Sequence, residues 1–242
     1  MSNIARTTRL AHNDAMDAYA LADRNRPWVR LNFVTSIDGA AARDGVSGGL
    51  GTDDDRVVFE ALRTMTDVVL VAAGTIRAEG YGGMRVDDRA VGWREDRGIS
   101  AQPTLAIVSR SVDLDPEHPV FVEAVVRPIV VTCAAASIPR GLDAVADVVI
   151  CGDESVDLAA ALAQLAGRGL RQVLCEGGPG LAGSLLEADL VDELCLTLSP
   201  VVEGGSATRM IRGEHPSSRA MRLVHAIPSG DTVLLRYVRV GR

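Results

Sequence analysis

Short apolar runs of strand length recur along this chain, separated by helical or glycine-rich segments. Val68 to Ala73, Leu105 to Val108, Ile129 to Thr132, Val148 to Cys151 and Gln172 to Cys175 carry no charge. Runs without polar alternation fit strands buried on both faces, as in a parallel sheet covered by helices. The intervals between them supply those helices. Thr52 is an N-cap followed by Asp53, Asp54 and Asp55 as first-turn acids, and Val57, Val58, Ala61, Leu62 and Met65 then fall at helical spacing. Val156 to Ala166 reads as a second helix, Ala134 to Ala144 as a third, and Asp14 to Ala22 as an opening one before strand Val29 to Thr35. Gly74-Thr75 opens a short turn or helix, and a loop rich in glycine and charge runs on to about Gln102. Alternation of this kind predicts a doubly wound, largely parallel sheet.

The rhythm changes after residue 188. Asp192 to Pro200 is a strand, and Met221 to Ile227 with Thr232 to Val240 form an antiparallel hairpin around Pro228-Ser229-Gly230-Asp231. The expected fold is α/β: a single domain over 28–242 with a mostly parallel mixed sheet, flanking helices and an antiparallel C-terminal hairpin. Residues 1–27 are expected to form an N-terminal helical extension.

Composition narrows the function. Of 242 residues 47 % are hydrophobic but only 3 % aromatic, so Ala, Val and Leu must fill the core. A net charge of −7 with no basic patch argues against a nucleic-acid partner. Met1 to Arg9 lacks the apolar segment of a secretion signal, and no apolar run nears the roughly 20 residues of a membrane span. A cytoplasmic protein without a membrane partner is expected. Cys133, Cys151, Cys175 and Cys195 form no close pair and read as buried thiols. The four histidines make no ligand motif, so no metal is expected.

Four segments stand at strand C-terminal ends, where open α/β sheets bind ligands. Thr35-Ser36-Ile37-Asp38-Gly39 is one, equally readable as an Asp-Gly turn. Ala73-Gly74-Thr75 with Glu79 is another, or else a helix cap with a solvated acid. Ser109-Arg110 suits a ribose phosphate, or is merely a polar loop. The fourth, Glu176-Gly177-Gly178-Pro179-Gly180-Leu181-Ala182-Gly183-Ser184, joins a strand to a helix. Free amides and the positive end of the helix dipole there suit a phosphate or diphosphate. The turn is not the G-x-G-x-x-G fingerprint. Arg63 and Arg85 would add guanidinium groups for a substrate phosphate, although a helix-end cation and a solvated charge explain them too. All four segments on one sheet edge would make one nucleotide cleft.

The order of motifs completes the reading. S-I-D-G at 36–39, S-G-G at 47–49, A-G-T at 73–75, E-G-G-P-x-L-A-G-S at 176–184 and L-V-D-E-L-C-L-T-L-S-P-V-V-E-G-G at 190–205 together resemble the reductase domain of the bifunctional riboflavin-biosynthesis deaminase/reductase, over roughly residues 28 to 240. The resemblance implies the dihydrofolate-reductase fold, NADPH as cofactor and a homodimer. The zinc signature of the deaminase half, H-x-E with P-C-x-x-C, is absent from the sequence. By resemblance Thr35, Gly74, Thr75, Glu79, Ser109 and Arg110 contact the cofactor, the last two near a 2′-phosphate. Gly177, Gly178, Pro179, Gly180, Leu181, Ala182, Gly183 and Ser184 wrap its diphosphate. Ser47, Arg63, Gly83, Arg85 and Glu176 contact a phosphoribosylamino-pyrimidine. The implied reaction adds hydride to the ribose C1 of the open-chain imine and yields a ribitylamine, with Asp38, Glu176 or a water as proton source. Many family members have lysine at Asn32, aspartate at Glu79 and tryptophan near Gly49. Those departures keep two alternatives open: reduction of another pyrimidine or pterin such as dihydrofolate, or a silent nucleotide-binding protein on the same scaffold.

Overall fold

The strand-length runs do assemble into one sheet. The computed structural model describes residues 8–43, 45–215 and 217–241, so the first seven residues of the expected N-terminal extension lie outside the described residues. Nine strands are present among these: β1 Trp28–Ser36, β2 Val68–Ala72, β3 Thr104–Val108, β4 Ile129–Thr132, β5 Asp147–Ile150, β6 Gln172–Cys175, β7 Glu193–Ser199, β8 Met221–Ser229 and β9 Thr232–Arg239. Their order across the sheet is β5-β4-β3-β2-β6-β1-β7-β9-β8. Every pairing from β5 to β7 is parallel, and β9 is antiparallel to both β7 and β8. This is the expected parallel sheet with a C-terminal antiparallel hairpin.

The helices are α1 His12–Ala18, α2 Asp53–Met65, α3 Ala73–Glu79, α4 Asp88–Glu95, α5 Pro119–Val122, α6 Leu142–Val145, α7 Leu158–Gly167 and α8 Pro179–Glu187. Strand alternation sends neighbouring residues to opposite faces. Val69 and Val71 of β2 pack with Val58, Ala61 and Leu62 of α2, while Val68 and Leu70 pack with Leu165 of α7 and Leu185 of α8. The sheet is therefore buried on both sides, which is why its strands read as unbroken apolar runs.

Three segments differ from expectation. α1 stops at Ala18 rather than Ala22, because arginines from the sheet take the carbonyls of Ala18, Tyr19 and Ala20. The helix expected near 134–144 shrinks to α6, since Pro139 and Gly141, the latter at φ +87°, break the preceding stretch. α4 forms where a loop is expected. Asp87 accepts from Ala90 N at 2.8 Å as its N-cap, and the buried Arg94 donates to the carbonyls of Thr64, Thr66 and Ser100. A helix held by one buried cation presents no apolar stripe to read.

Candidate active site

The C-terminal ends of β1, β2 and β6 lie side by side at mid-sheet and open into a cavity of about 860 Å³. Ligand pockets run from roughly 300 to 1,000 Å³, so this one is toward the large end of that range. α2 forms one wall. Thr52, Asp55, Arg56, Phe59 and Arg63 recur at three- and four-residue steps along one helix face and line the cavity, while the opposite stripe is core.

At the far end of α2 the carboxylate of Glu176, just past β6, is gripped from two sides. Arg63 donates Nε to Oε1 and Nη2 to Oε2, each at 2.6 Å, and Tyr81 donates its hydroxyl to Oε2 at 2.9 Å. The Glu176 side chain is only 2 % exposed. Phe59 lies under the Arg63 guanidinium, 4.0 Å from ring centroid to Cζ, a cation–π contact. Burial works against charge on Arg63, yet the Glu176 carboxylate outweighs it and holds the guanidinium pKa above its ordinary value. Burial likewise raises the Tyr81 pKa, and the neighbouring Glu176 raises it further. Glu176 is thus an ion-pair partner that orients Arg63, which itself lines the cavity.

The opposite wall is the start of α8. Gly177, Gly178, Pro179, Gly180 and Leu181 all line the cavity, and no side chain caps the helix at Gly178. A Cβ at Gly74 or Gly180 would meet nothing within 4 Å, so the backbone there is open to a ligand. At Gly178 a Cβ would come within 2.7 Å of Thr75 Oγ1. An uncapped helix start facing a cavity suits an anionic group. One further polar group needs a ligand. Asn32 on β1 is 8 % exposed and lines the cavity, and its Oδ1 is buried without a partner among the described residues. A buried amide left unpaired costs about 1–3 kcal/mol, and a ligand amide or ring edge would relieve that. These residues fit a dinucleotide with a polar heterocycle.

The expected site residues divide cleanly. Ser47, Arg63, Gly74, Thr75, Glu79, Gly83, Arg85, Glu176 and Gly177 through Leu181 line the cavity together. Glu79 accepts from Ser47 N at 2.9 Å, tying α3 to the loop after β1. Thr35, Asp38, Ser109, Arg110, Ala182, Gly183 and Ser184 are outside the lining. Thr35 is buried within β1. Asp38 is exposed and accepts from Ser36 Oγ and from the amides of Glu203 and Gly204. Ser109 Oγ accepts from Val112 N in the turn after β3, and Arg110 donates Nε to the Glu154 carbonyl. Gly183 faces another segment, where a Cβ would stand 1.9 Å from the Arg212 carbonyl oxygen. Ala182 is buried beside it and Ser184 is exposed on the outer face of α8.

Asp55, Arg56, Phe59 and Tyr81 line the cavity although none is singled out by motif. Asp55 is the most consequential. Burial raises its carboxyl pKa above the ordinary carboxylate value, against a hydrogen bond with the Thr197 side chain that lowers it. The legible signal was the polar set 52, 55, 56 and 63 on one face of a helix whose other face is apolar, with Phe59 set among them.

Comparison with known proteins gives a consistent result. Residues 27–235 match the profile of the family described as RibD C-terminal domain. A 2,5-diamino-6-ribosylamino-4(3H)-pyrimidinone 5′-phosphate reductase from Methanothermobacter thermautotrophicus is 28 % identical over 225 residues, spanning 89 % of this chain and 100 % of that protein. A reductase of the same name from Archaeoglobus fulgidus is 27 % identical over 221 residues, spanning 88 % and 100 %. Among solved structures, a pyrimidine reductase-like protein from Corynebacterium diphtheriae superposes with a TM-score of 0.83 at 24 % identity, over 94 % of this chain and 99 % of that one. That likeness speaks to fold.

Proposed function

The chain belongs to the RibD C-terminal domain family, and from that we propose that it reduces a 6-ribosylaminopyrimidine 5′-phosphate to the ribitylamine with a nicotinamide nucleotide. One observation carries the reading. A single cavity joins an uncapped helix start, Gly177 to Leu181, to a cationic and aromatic end built from Arg63, Tyr81 and Arg85. The first suits a diphosphate and the second a phosphorylated sugar with its ring. The full-length archaeal relatives named above act on a substrate of this class by name.

The protein's part is placement and proton supply. A bound dihydronicotinamide furnishes a hydride, that is, both electrons of the reduction. Arg85 and Arg63, both in the cavity wall, hold the substrate phosphate, with Glu176 and Tyr81 fixing the Arg63 guanidinium. Asn32 takes a donor from a ligand amide or ring edge. Holding donor and acceptor in contact removes much of the entropic barrier. The C1=N bond of the open-chain imine becomes C–N when hydride reaches carbon and a proton reaches nitrogen. We assign that proton to Asp55, whose carboxyl is the donor in this step, becomes carboxylate as the nitrogen is protonated and is recharged from solvent. Asn32 stands where the family's lysine would be and has no proton to give.

NADPH is the assigned nucleotide, on the strength of Arg110, exposed at the end of β3. Assembly as a homodimer belongs to the same proposal. Nucleotide oxidation should be followed with the 2,5-diaminopyrimidinone substrate, with its deaminated 5-amino-uracil counterpart and with dihydrofolate. Oxidation with a pyrimidine, and tighter binding of NADPH than of NADH, is the expected result. Failure with both pyrimidines would remove the assigned reaction, and equal affinity for the two nucleotides would remove Arg110's role.

A further inference from the structure

After β7 the chain runs through an irregular segment, 200–215, that returns to the cavity, bringing Thr208 into its lining. Several bonds hold this strap across the cleft. On one side Ile37 N donates to the Val201 carbonyl at 2.8 Å, Ala41 N donates to Thr208 O at 3.0 Å, and Arg43 pairs with Glu203 at 3.3 Å. On the other, Arg212 N donates to Pro179 O at 2.9 Å, in the first turn of α8. The strap thereby spans from the S-I-D-G turn to the helix start proposed to hold the diphosphate.

Asp38 adds a charged acceptor to this attachment beside the Arg43–Glu203 pair. Its Oδ1 accepts from Ser36 Oγ at 2.5 Å and Glu203 N at 3.1 Å, and its Oδ2 accepts from Gly204 N at 2.7 Å. Gly204 has φ +64°, a conformation that glycine adopts without the penalty a Cβ brings, and it turns that amide toward the carboxylate. Both oxygens are thus occupied by donors from the turn and the strap, and none of these bonds reaches a cavity-lining group. We propose that Asp38 is a positioning residue: its carboxylate fixes the 201–208 strap against the mouth of the cavity and so sets the affinity for the nicotinamide nucleotide. The inference deepens the proposed function and rests on it for the identity of the ligand.

The Ser36 hydroxyl, followed by the Gly204 and Glu203 amides, holds the Asp38 carboxyl down at about 2, so it is an anion throughout the working range. It has no proton to deliver there, which separates it from Asp55. The test replaces Asp38 by Asn and by Ala. An amide nitrogen in place of one carboxylate oxygen would face an N–H donor, and alanine removes every acceptor. Hydrogen exchange on the ligand-free protein should quicken at residues 201–208 in both variants while the central strands stay protected. NADPH dissociation constants, taken by titration without substrate, should rise about tenfold, the size of a hydrogen bond to a charged group. The turnover number at saturating nucleotide should stay within about twofold, since no reacting atom is touched. Should alanine prevent folding, the asparagine protein alone decides. Unchanged exchange in the strap overturns the clamp whatever the wild type does with nucleotide. Unchanged NADPH affinity in a variant whose strap has loosened overturns the link to binding, and a wild type that binds no nicotinamide nucleotide overturns the proposed function instead. A collapse in turnover with unaltered affinity would return Asp38 to direct chemistry.

Discussion

Asp53, Asp54 and Asp55 stand in a row at the start of α2 and meet three different fates. Asp53 is exposed and pairs with Arg9. Asp54 is buried and accepts from Ser229 Oγ at 2.6 Å, fastening the C-terminal hairpin to the helix. Asp55 faces the cavity. In the sequence all three satisfy the same rule, that acids favour a helix start. Only the roughly 100° rotation per residue, applied to a sheet of known position, separates them. The glycine turn was readable because strand, turn and helix are neighbours in sequence. Asp38 was readable as a turn residue with Ser36 beside it, but its two strap partners lie 165 and 166 positions away. For Asp55 the expected outcome follows from its raised pKa. An acid that donates a proton works below its pKa, so turnover should fall as pH rises through that value. Asp55→Asn should lower kcat by about 10²–10⁴-fold, the usual weight of general acid catalysis, and abolish that alkaline limb while nucleotide binding persists. Measuring kcat against pH for both proteins checks it, and an asparagine variant with an unchanged profile would leave Asp55 a mere wall of the cavity.

At the scale of elements, the parallel strands and the principal helices were legible because each carries its own local pattern, apolar run or helical stripe. What joins distant elements was not. Glu193 at the start of β7 is wholly buried and collects Arg30 of β1 at 2.8 Å, Arg236 of β9 at 2.9 Å and the indole N–H of Trp28 at 2.9 Å. The same arginines donate onward to the carbonyls of Ala18, Tyr19 and Ala20, so one carboxylate anchors the end of α1 to the sheet. In sequence these are a glutamate and two arginines in otherwise apolar strands, and nothing local pairs them. Burial alone would raise the Glu193 pKa; the two arginines outweigh it and hold the group below its ordinary value. A carboxylate with a depressed folded pKa contributes stability above its unfolded pKa, and loses it as pH falls through the folded one. Glu193→Gln should therefore cost about 3–5 kcal/mol at neutral pH, because two buried guanidinium groups lose their counter-charge. The gap to wild type should narrow once pH drops below about 4, near and under the free glutamate value. Urea melts at pH 7 and in mild acid measure both, and a variant as stable as wild type at pH 7 would show that the arginines find other partners.

Across the whole molecule, alternation was enough for a doubly wound sheet but not for its strand order, β5-β4-β3-β2-β6-β1-β7-β9-β8, which depends on crossovers between non-consecutive strands that no local pattern encodes. The two edges of the sheet are treated differently. β5 is short, and Asp147 at its start is paired with Arg127 and Arg168, the charged protection edge strands commonly carry. β8 is longer, pairs among the described residues only with β9, and exposes Leu223 at 46 % and Val224 at 41 %, with a register shift between Leu223 and His225. Adjacent apolar side chains on an unshielded edge favour a protein contact over water. The proposed homodimer would use this edge, away from the cavity at mid-sheet, so each copy would keep a complete site. Light scattering on the purified protein should accordingly give twice the 25.5 kDa of one chain. Leu223→Lys with Val224→Lys should shift it to the single-chain mass without loss of nucleotide binding, because no cavity residue is altered. A wild type that runs as a monomer would dispose of the dimer, and a double variant that stays dimeric would move the contact to another face.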